Sequence, residues 1–132
     1  MKHGLQESTW NFIRRYIDSV EQLEILLLFQ RHPNEEWGIQ RISQEIRTSA
    51  SSTQNRVSSL LASGLISEVK THSEPLYRYA PSSDELDQSI VELEREYKIR
   101  RVRVIDAIYA RPAEKMMNFL DAFKIRKSDK DE

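Results

Sequence analysis

Apolar residues recur at three- and four-residue spacings through the N-terminal part of the chain, which predicts two amphipathic helices. The first helix covers Glu7–Asp18 and is rich in aromatic side chains. The second covers Val20–Arg31, because Ser19 is a suitable N-cap and Gln22 follows three residues later, as in a capping box. Pro33 ends the second helix, since proline cannot continue the backbone hydrogen-bond pattern.

Two shorter helices are predicted next, after a short extended piece that begins at Trp37. Isoleucines spaced three and four apart give the first of them an apolar face, and this helix ends near Arg47. Ser49 suits the N-cap of the following helix, which continues to Ser63. Gly64 then suits the position just beyond its C-terminus, where a left-handed backbone is common.

The periodicity changes to two after this glycine. The segments Leu65–Lys70 and Leu76–Ala80 alternate in the manner of strands, and His72–Pro75 has the composition of a turn. Tyr77 and Tyr79 fall on one face of the second strand. An antiparallel hairpin directly after a helix is therefore predicted.

No helix-breaking residue occurs from Asp84 to about Ala110, which predicts one continuous helix about 40 Å long at ~1.5 Å per residue. Apolar residues at alternating spacings of four and three give this helix a seam for a partner. Pro112 suits the first turn of a last helix. We expect two copies of the chain to pair through these residues: Leu86, Ile90, Leu93, Tyr97, Val104, Ile108, Met116, Leu120 and Phe123.

Two short helices joined by a tight turn and followed by a hairpin form the pattern of a winged helix-turn-helix. The sequence resembles bacterial winged-helix regulators of the multiple-antibiotic-resistance (MarR-like) and arsenical-resistance (ArsR-like) types. Ile42–Ile46 carries the resemblance in the first helix, and Ser49–Ile66 carries it in the second helix and its exit. The resemblance covers roughly Val20–Ala80, and it implies a homodimer that binds double-stranded DNA.

The fold class expected on these grounds is mainly α with a small β-hairpin wing, with dimerisation helices at both termini. The chain has 132 residues, enough for one domain but not for two. We expect one winged-helix domain over residues 1–132. Its parts are a core at 19–80, a C-terminal helical dimerisation arm at 84–126 and a frayed tail at 127–132.

The major groove of B-DNA admits one helix, and side chains on that helix's exposed face read the base edges. Gln54 and Asn55 can each pair with adenine through two hydrogen bonds, and the neighbouring serines can bond to bases or phosphates. Basic side chains in the two helices and the wing are candidate phosphate contacts. The predicted DNA-contacting residues are Ser49, Ser51, Ser52, Gln54, Asn55, Arg56, Ser59, Arg41, Arg47, Lys70, His72 and Arg78.

Charge supports this prediction only weakly. The net charge is −1, and residues 38–80 hold five Lys or Arg against three Glu, a net of +2. A winged helix can also serve as a protein-interaction module, and this remains the alternative function. Basic residues at 98–103 follow Glu94 and Glu96 at the spacing of favourable i, i+4 ion pairs, so salt bridges explain them better than a DNA clamp.

Other function classes are disfavoured. The chain has no cysteine, which excludes disulfides and thiolate metal ligands. Its three histidines are far apart in sequence, and no catalytic or cofactor-binding motif occurs, so we expect no metal, no cofactor and no enzymatic activity. The longest apolar run, Ile25–Phe29, is too short to cross a membrane, and the N-terminus lacks a signal peptide, so we expect a cytoplasmic protein.

A small-molecule effector is a further expectation. The aromatic N-terminal helix, with Trp10, Phe12 and Tyr16, and the apolar stripe from Met116 to Phe123 could line a ligand pocket. At helical spacing such residues more often form a core or a dimer interface.

Overall fold

The computed structural model describes residues 4–110. It is mainly helical with one two-stranded antiparallel sheet, which confirms the prediction of a mainly α fold with a small β-hairpin. Residues 101–110 are also helical up to the end of the described range and are called α6. The preceding elements are α1 (Glu7–Tyr16), α2 (Val20–Arg31), α3 (Ile39–Ile46), α4 (Ala50–Ala62), β1 (Ile66–Val69), β2 (Leu76–Tyr79) and α5 (Asp84–Ile99).

Side-chain caps begin the helices where the sequence predicts them. Ser19 Oγ accepts a hydrogen bond from the backbone N–H of Gln22 (3.0 Å), which begins α2. Ser49 Oγ accepts from the N–H of Ser52 (3.0 Å), which begins α4. Ser83 caps α5 in the same way. Each cap satisfies a helix-end N–H that has no partner within the helix, so these serines set the helix starts.

Gly64 ends α4 as predicted. Its φ is 76°, in the left-handed region. The N–H of Gly64 bonds to the carbonyl of Leu61 (3.1 Å), and the N–H of Leu65 bonds to that of Leu60 (3.1 Å). These two bonds form a Schellman motif, which turns the chain from the helix into β1.

The central helix is α2, which packs against α3, α4, α5 and β2. The sequence pattern predicts one core face for it, but every side chain from Leu23 to Phe29 except Glu24 is buried. A helix that is apolar nearly all round needs neighbours on every side, and the other elements supply them. No helix within residues 4–110 has the length and apolarity needed to cross a membrane.

The wing pairs β1 with β2 in the register Ile66↔Tyr79 and Val69↔Leu76. Trp37 adds a short third stretch, because its N–H and carbonyl both bond to Tyr77 at 2.8 Å. The extended piece predicted at Trp37 therefore ties the start of α3 to the hairpin. Tyr79 lies on the same strand face as the buried Tyr77 and is half-buried.

The hydroxyl of Tyr79 donates a hydrogen bond to Asp87 Oδ1 (2.7 Å), which joins the wing to the first turns of α5. Burial and the neighbouring Asp87 carboxylate raise the pKa of the Tyr79 phenol well above its usual range. The phenol therefore stays protonated and keeps donating this bond across the neutral pH range.

The continuous helix predicted from Asp84 to Ala110 is wrong. Arg100, with φ −134° and ψ 50°, breaks it between α5 and α6. The sequence has no glycine or proline at the break, so its origin is tertiary. A straight helix of about 40 Å would extend past the domain, whereas the break lets Val104 and Ile108 of α6 return to the core.

The predicted dimer seam also needs correction. Its side chains on α5 and α6 pack within a single chain, so the alternating spacing marks core positions and leaves them little exposed surface for a partner. Leu86 is half-buried against the core, and the others in the described range are fully buried: Ile90, Leu93, Tyr97, Val104 and Ile108. Met116, Leu120 and Phe123, with the rest of the arm beyond residue 110 and the tail at 127–132, lie outside the described residues.

Substituting Gly64→Ala should lower the free energy of unfolding by about 1–2 kcal/mol, because a Cβ is unfavourable at positive φ. The new Cβ would also lie 3.1 Å from Ser82 Oγ. Urea unfolding of the variant measures the loss. Gly64→Asn is the matched control, since asparagine adopts the left-handed region more readily and should lose less. Equal losses for the two variants would assign the effect to the Ser82 contact instead.

Candidate nucleic-acid interface

Helices α3 and α4 are joined by the three-residue turn Arg47–Ser49. Arg47 adopts a left-handed conformation, with φ 64° and ψ 51°, and the N–H of Thr48 bonds to the carbonyl of Ser43 (3.0 Å). Buried Thr53 and Val57 fix α4 against the core. This is the geometry in which the second helix of a helix-turn-helix is available to a DNA groove.

The exposed side of α4 is uncharged and polar. Gln54 Nε2 donates to Ser58 Oγ (3.2 Å) along this side. Its hydroxyls and amides are donors and acceptors of the kind that read base edges. We call this surface the reading face. It consists of Ser51, Gln54, Asn55, Ser58 and Ser59, and it includes four of the predicted DNA-contacting residues of this helix.

Ser52 and Arg56 lie apart from the reading face, although the sequence predicted them to contact DNA. Both are half-buried and bond to Glu21 of α2. Ser52 Oγ and Arg56 Nε donate to Glu21 Oε1, the latter at 3.1 Å. Thr48 Oγ1 donates to Glu21 Oε2 (2.6 Å). We call these four residues the Glu21 cluster.

The Glu21 cluster favours the ionised carboxylate. Hydrogen bonds from Ser52 and Thr48, together with the bond and positive charge of Arg56, hold the pKa of Glu21 below its usual value, against the opposing effect of partial burial. The cluster joins the start of α2 to the turn and to the first two turns of α4. It therefore orients α4 relative to the core.

Arg41, a predicted phosphate contact, is also held within the chain. Its guanidinium lies 3.8 Å from the centroid of the Trp37 ring and bonds to Glu35 Oε1 (3.0 Å). The other oxygen of Glu35 lies 2.9 Å from His32 Nδ1. Trp37 is buried, and its indole N–H has no hydrogen-bond partner within residues 4–110. Arg41 covers this tryptophan, so reaching a phosphate would require it to leave the stack.

The remaining predicted phosphate contacts are exposed. Arg47 lies at the turn, and Lys70, His72 and Arg78 lie on the wing. Thr71 Oγ1 stabilises the wing turn by donating to the carbonyl of Glu74 (2.6 Å). Within the described range the three Lys and Arg side chains form no ion pair, which leaves their charge available for a phosphate.

Two of the basic residues that follow the acidic part of α5 are paired with acids one turn earlier. Lys98 Nζ lies 3.4 Å from Glu94 Oε1, and Arg100 lies 3.3 Å from Glu96 Oε2. These are the two predicted i, i+4 ion pairs, so the salt-bridge interpretation is confirmed for Lys98 and Arg100. Glu94 also pairs with Arg31 of α2 at 3.1 Å, which ties α5 to the central helix.

Sequence reasoning missed Glu21 and Thr48. Glu21 is an ordinary first-turn acid of α2 in the sequence, where the helix dipole alone explains it. Its partners follow 27, 31 and 35 residues later. The i, i+4 spacing of Ser52 and Arg56 places them on one side of α4, but nothing local indicates that a carboxylate lies there.

A shallow groove of about 480 Å³ lies between α1 and the start of α5. Its lining includes the aromatic pair Phe12 and Tyr16, whose ring centroids are 4.8 Å apart, and Leu86. Phe12 and Tyr16 are two of the three aromatic residues named for an effector pocket; Trp10 does not line this groove, and Met116–Phe123 lies outside the described residues. Within residues 4–110, no three His, Asp or Glu side chains are grouped as a metal site would need.

Two solved structures share this arrangement of helices and wing. One is the homodimeric winged helix-turn-helix DNA-binding domain, fragment 1–100, of Mb0332 from Mycobacterium bovis, described as a possible ArsR-family transcriptional regulator. It aligns with a TM-score of 0.52 and 12% identity over 74% of this chain and 94% of that one. The fold is a winged helix-turn-helix.

The second structure is RV1404 from Mycobacterium tuberculosis. It aligns with a TM-score of 0.52 and 15% identity over 92% of this chain and 82% of that one. Identities this low establish the winged helix-turn-helix fold and nothing narrower. No family described from sequence matches the chain, and no curated protein does either.

Glu21→Gln should reduce the change of folding stability with pH in the acid range. Because the folded-state pKa of Glu21 is lowered, the stability it contributes is present above its ordinary pKa of 4.5. That stability is lost as the pH falls through the folded-state value. Thermal unfolding of both proteins from pH 7 to pH 3 measures the effect. The melting temperatures should differ at neutral pH and converge in acid, and a constant difference would contradict the role assigned to the carboxylate.

Proposed function

We propose that this protein is a sequence-specific regulator of transcription that binds double-stranded DNA as a homodimer. The observation that carries the proposal is the reading face of α4, an exposed row of hydroxyls and amides on the second helix of a winged helix-turn-helix. Such a row has no packing role in the chain, and it has the chemistry of base-edge recognition.

In this proposal α4 enters the major groove, and Gln54 and Asn55 each bond to an adenine through two hydrogen bonds. Exposed Arg47 beside the helix and exposed Lys70 and Arg78 on the wing neutralise phosphates. Ser49 and Ser51, at the start of α4, suit a phosphate oxygen because free N–H groups are also found there. Ser59 lies two turns further along the same exposed side.

The homodimer in this proposal uses an apolar surface different from the predicted seam. Ile99, Val102 and Tyr109 are 63%, 70% and 67% exposed, although large apolar side chains are normally covered. Val102 and Tyr109 lie two turns apart on one face of α6. A second copy would cover this stripe, and the Mb0332 domain, which has the same fold, is homodimeric.

A two-fold dimer would present its two α4 helices about 34 Å apart, which matches successive turns of a palindromic site. In this proposal the protein acts in the cytoplasm, and its function requires no enzymatic activity. A small-molecule effector would bind in the groove between α1 and α5.

A second function is favoured by a specific observation. Arg41 and Arg56, two of the five basic residues at 38–80, are bonded within the chain. Residues 38–80 therefore present little free positive charge, as a protein-interaction module would. Salt dependence distinguishes the two functions, because counterion release is specific to nucleic-acid binding.

Selection from a random duplex-DNA library at two salt concentrations should enrich a palindrome with adenines in each half-site. Asn55→Ala should weaken binding to the enriched site by roughly 5- to 150-fold, the range for one bidentate base contact. Fluorescence anisotropy on labelled duplexes measures the loss. Ala62→Ser, an exposed change at the far end of α4, is the control and should bind like the wild type. Weak binding without enrichment would support the protein-interaction module.

Replacing Val102 and Tyr109 with aspartate should convert the dimer into a monomer of 15.6 kDa, because buried carboxylates would have no partner. Light scattering after size exclusion at micromolar concentration measures the mass. Val91→Asp is the matched control: Val91 is also exposed but lies on α5, before the break, so the dimer should persist. A dimer that survives the double substitution would place the interface elsewhere.

A further inference from the structure

Arg56 is the only basic residue of α4, the helix proposed to enter the major groove. Arginine paired with guanine is the commonest specific contact in that groove, so this side chain would ordinarily dominate base choice. The structure instead directs its Nε to Glu21 Oε1 at 3.1 Å. About a third of the Arg56 side chain is exposed, and the rest is covered by its own chain.

The same carboxylate also binds Ser52, one turn before Arg56 on α4, and Thr48 in the turn. Binding three donors to one carboxylate costs little additional conformational entropy, because Ser52 and Thr48 are already held by the helix-turn-helix backbone. Taking Arg56 away to DNA would leave the half-buried Glu21 charge without its positive partner, and it would bring that negative charge close to phosphates.

We propose that Glu21 is a specificity-determining residue that positions Arg56 and Ser52 against α2, so that α4 reads adenine through amides and not guanine through arginine. The proposal rests on the DNA-binding function proposed above and adds a residue outside the helix-turn-helix to it. With Arg56 withheld, the reading face is neutral, and the positive charge for phosphates comes from Arg47 and the wing.

The charge balance of the Glu21 cluster allows a sharp test. The double substitution Glu21→Gln with Arg56→Gln leaves the net charge unchanged, whereas Arg56→Gln alone removes one positive charge. Arg78→Gln on the wing removes the same charge from an exposed side chain and is the matched control. For each protein, affinity for the duplex selected by the wild type is measured across a salt series.

We expect Arg56 and Arg78 to differ in their effect on the salt dependence of DNA binding. The charge-neutral double variant should keep the wild-type slope of log affinity against log salt, while Arg78→Gln should reduce that slope by about 0.9, the value for one phosphate contact. Glu21→Gln alone frees Arg56. Library selection with this variant should then show guanine gained at a half-site position, preferred by roughly 5- to 150-fold.

Two results would overturn the proposal. A slope lowered by about 0.9 in the charge-neutral double variant would mean that Arg56 contacts a phosphate in the wild type. Unchanged base preference in both Glu21→Gln and Glu21→Ala would mean that Glu21 does not determine specificity. Thermal unfolding checks that each variant is folded. If a Glu21 variant is not folded, the salt slope of Arg56→Gln still shows whether Arg56 contacts a phosphate.

Failure of the underlying function gives a different result. A wild-type protein that enriches no motif and shows no salt-dependent affinity overturns the DNA-binding proposal itself, and the proposal for Glu21 falls with it. A wild-type protein that binds its selected duplex, with variants that deviate as described, overturns only the role of Glu21.

Discussion

The burial of α2 on nearly every side is the constraint on which the rest of the fold depends. A helix of this kind is stable only inside a shell, and α3, α4, α5 and β2 each contribute one side of that shell. The apolar face of α4 is oriented toward the core, so its opposite face is left to solvent. The reading face of α4 is exposed for this reason.

The same helix contributes both packing and polar orientation. Its middle supplies the core, and its first turn supplies Glu21, which reaches the turn and α4. Its last turn supplies Arg31, which pairs with Glu94 of α5. One buried helix thus bonds to the helix-turn-helix at one end and to the second half of α5 at the other. Hydrophobic burial packs these helices together, and the two ion pairs link α2 to α4 and to α5.

Features that depend on neighbouring residues could be predicted, whereas features that depend on distant contacts could not. The helix ends at Ser19, Ser49 and Gly64 could be predicted, because the side-chain and backbone properties that cause them act within four residues. The break at Arg100 has no local signal, because it follows from what α6 packs against. The orientation of Arg56 could not be predicted for the same reason, since the position of a carboxylate on α2 decides where this side chain points.

The bond from Tyr79 to Asp87 gives the hairpin a mechanical property. A two-stranded hairpin attached only at its strand ends would be free to rotate relative to the rest of the domain. Here the phenol braces the base of the hairpin against α5 at 2.7 Å, and Trp37 braces the other side through Tyr77. The hairpin is therefore held at its base from two sides, so a shift of α5 relative to the core would be passed to the hairpin through Tyr79.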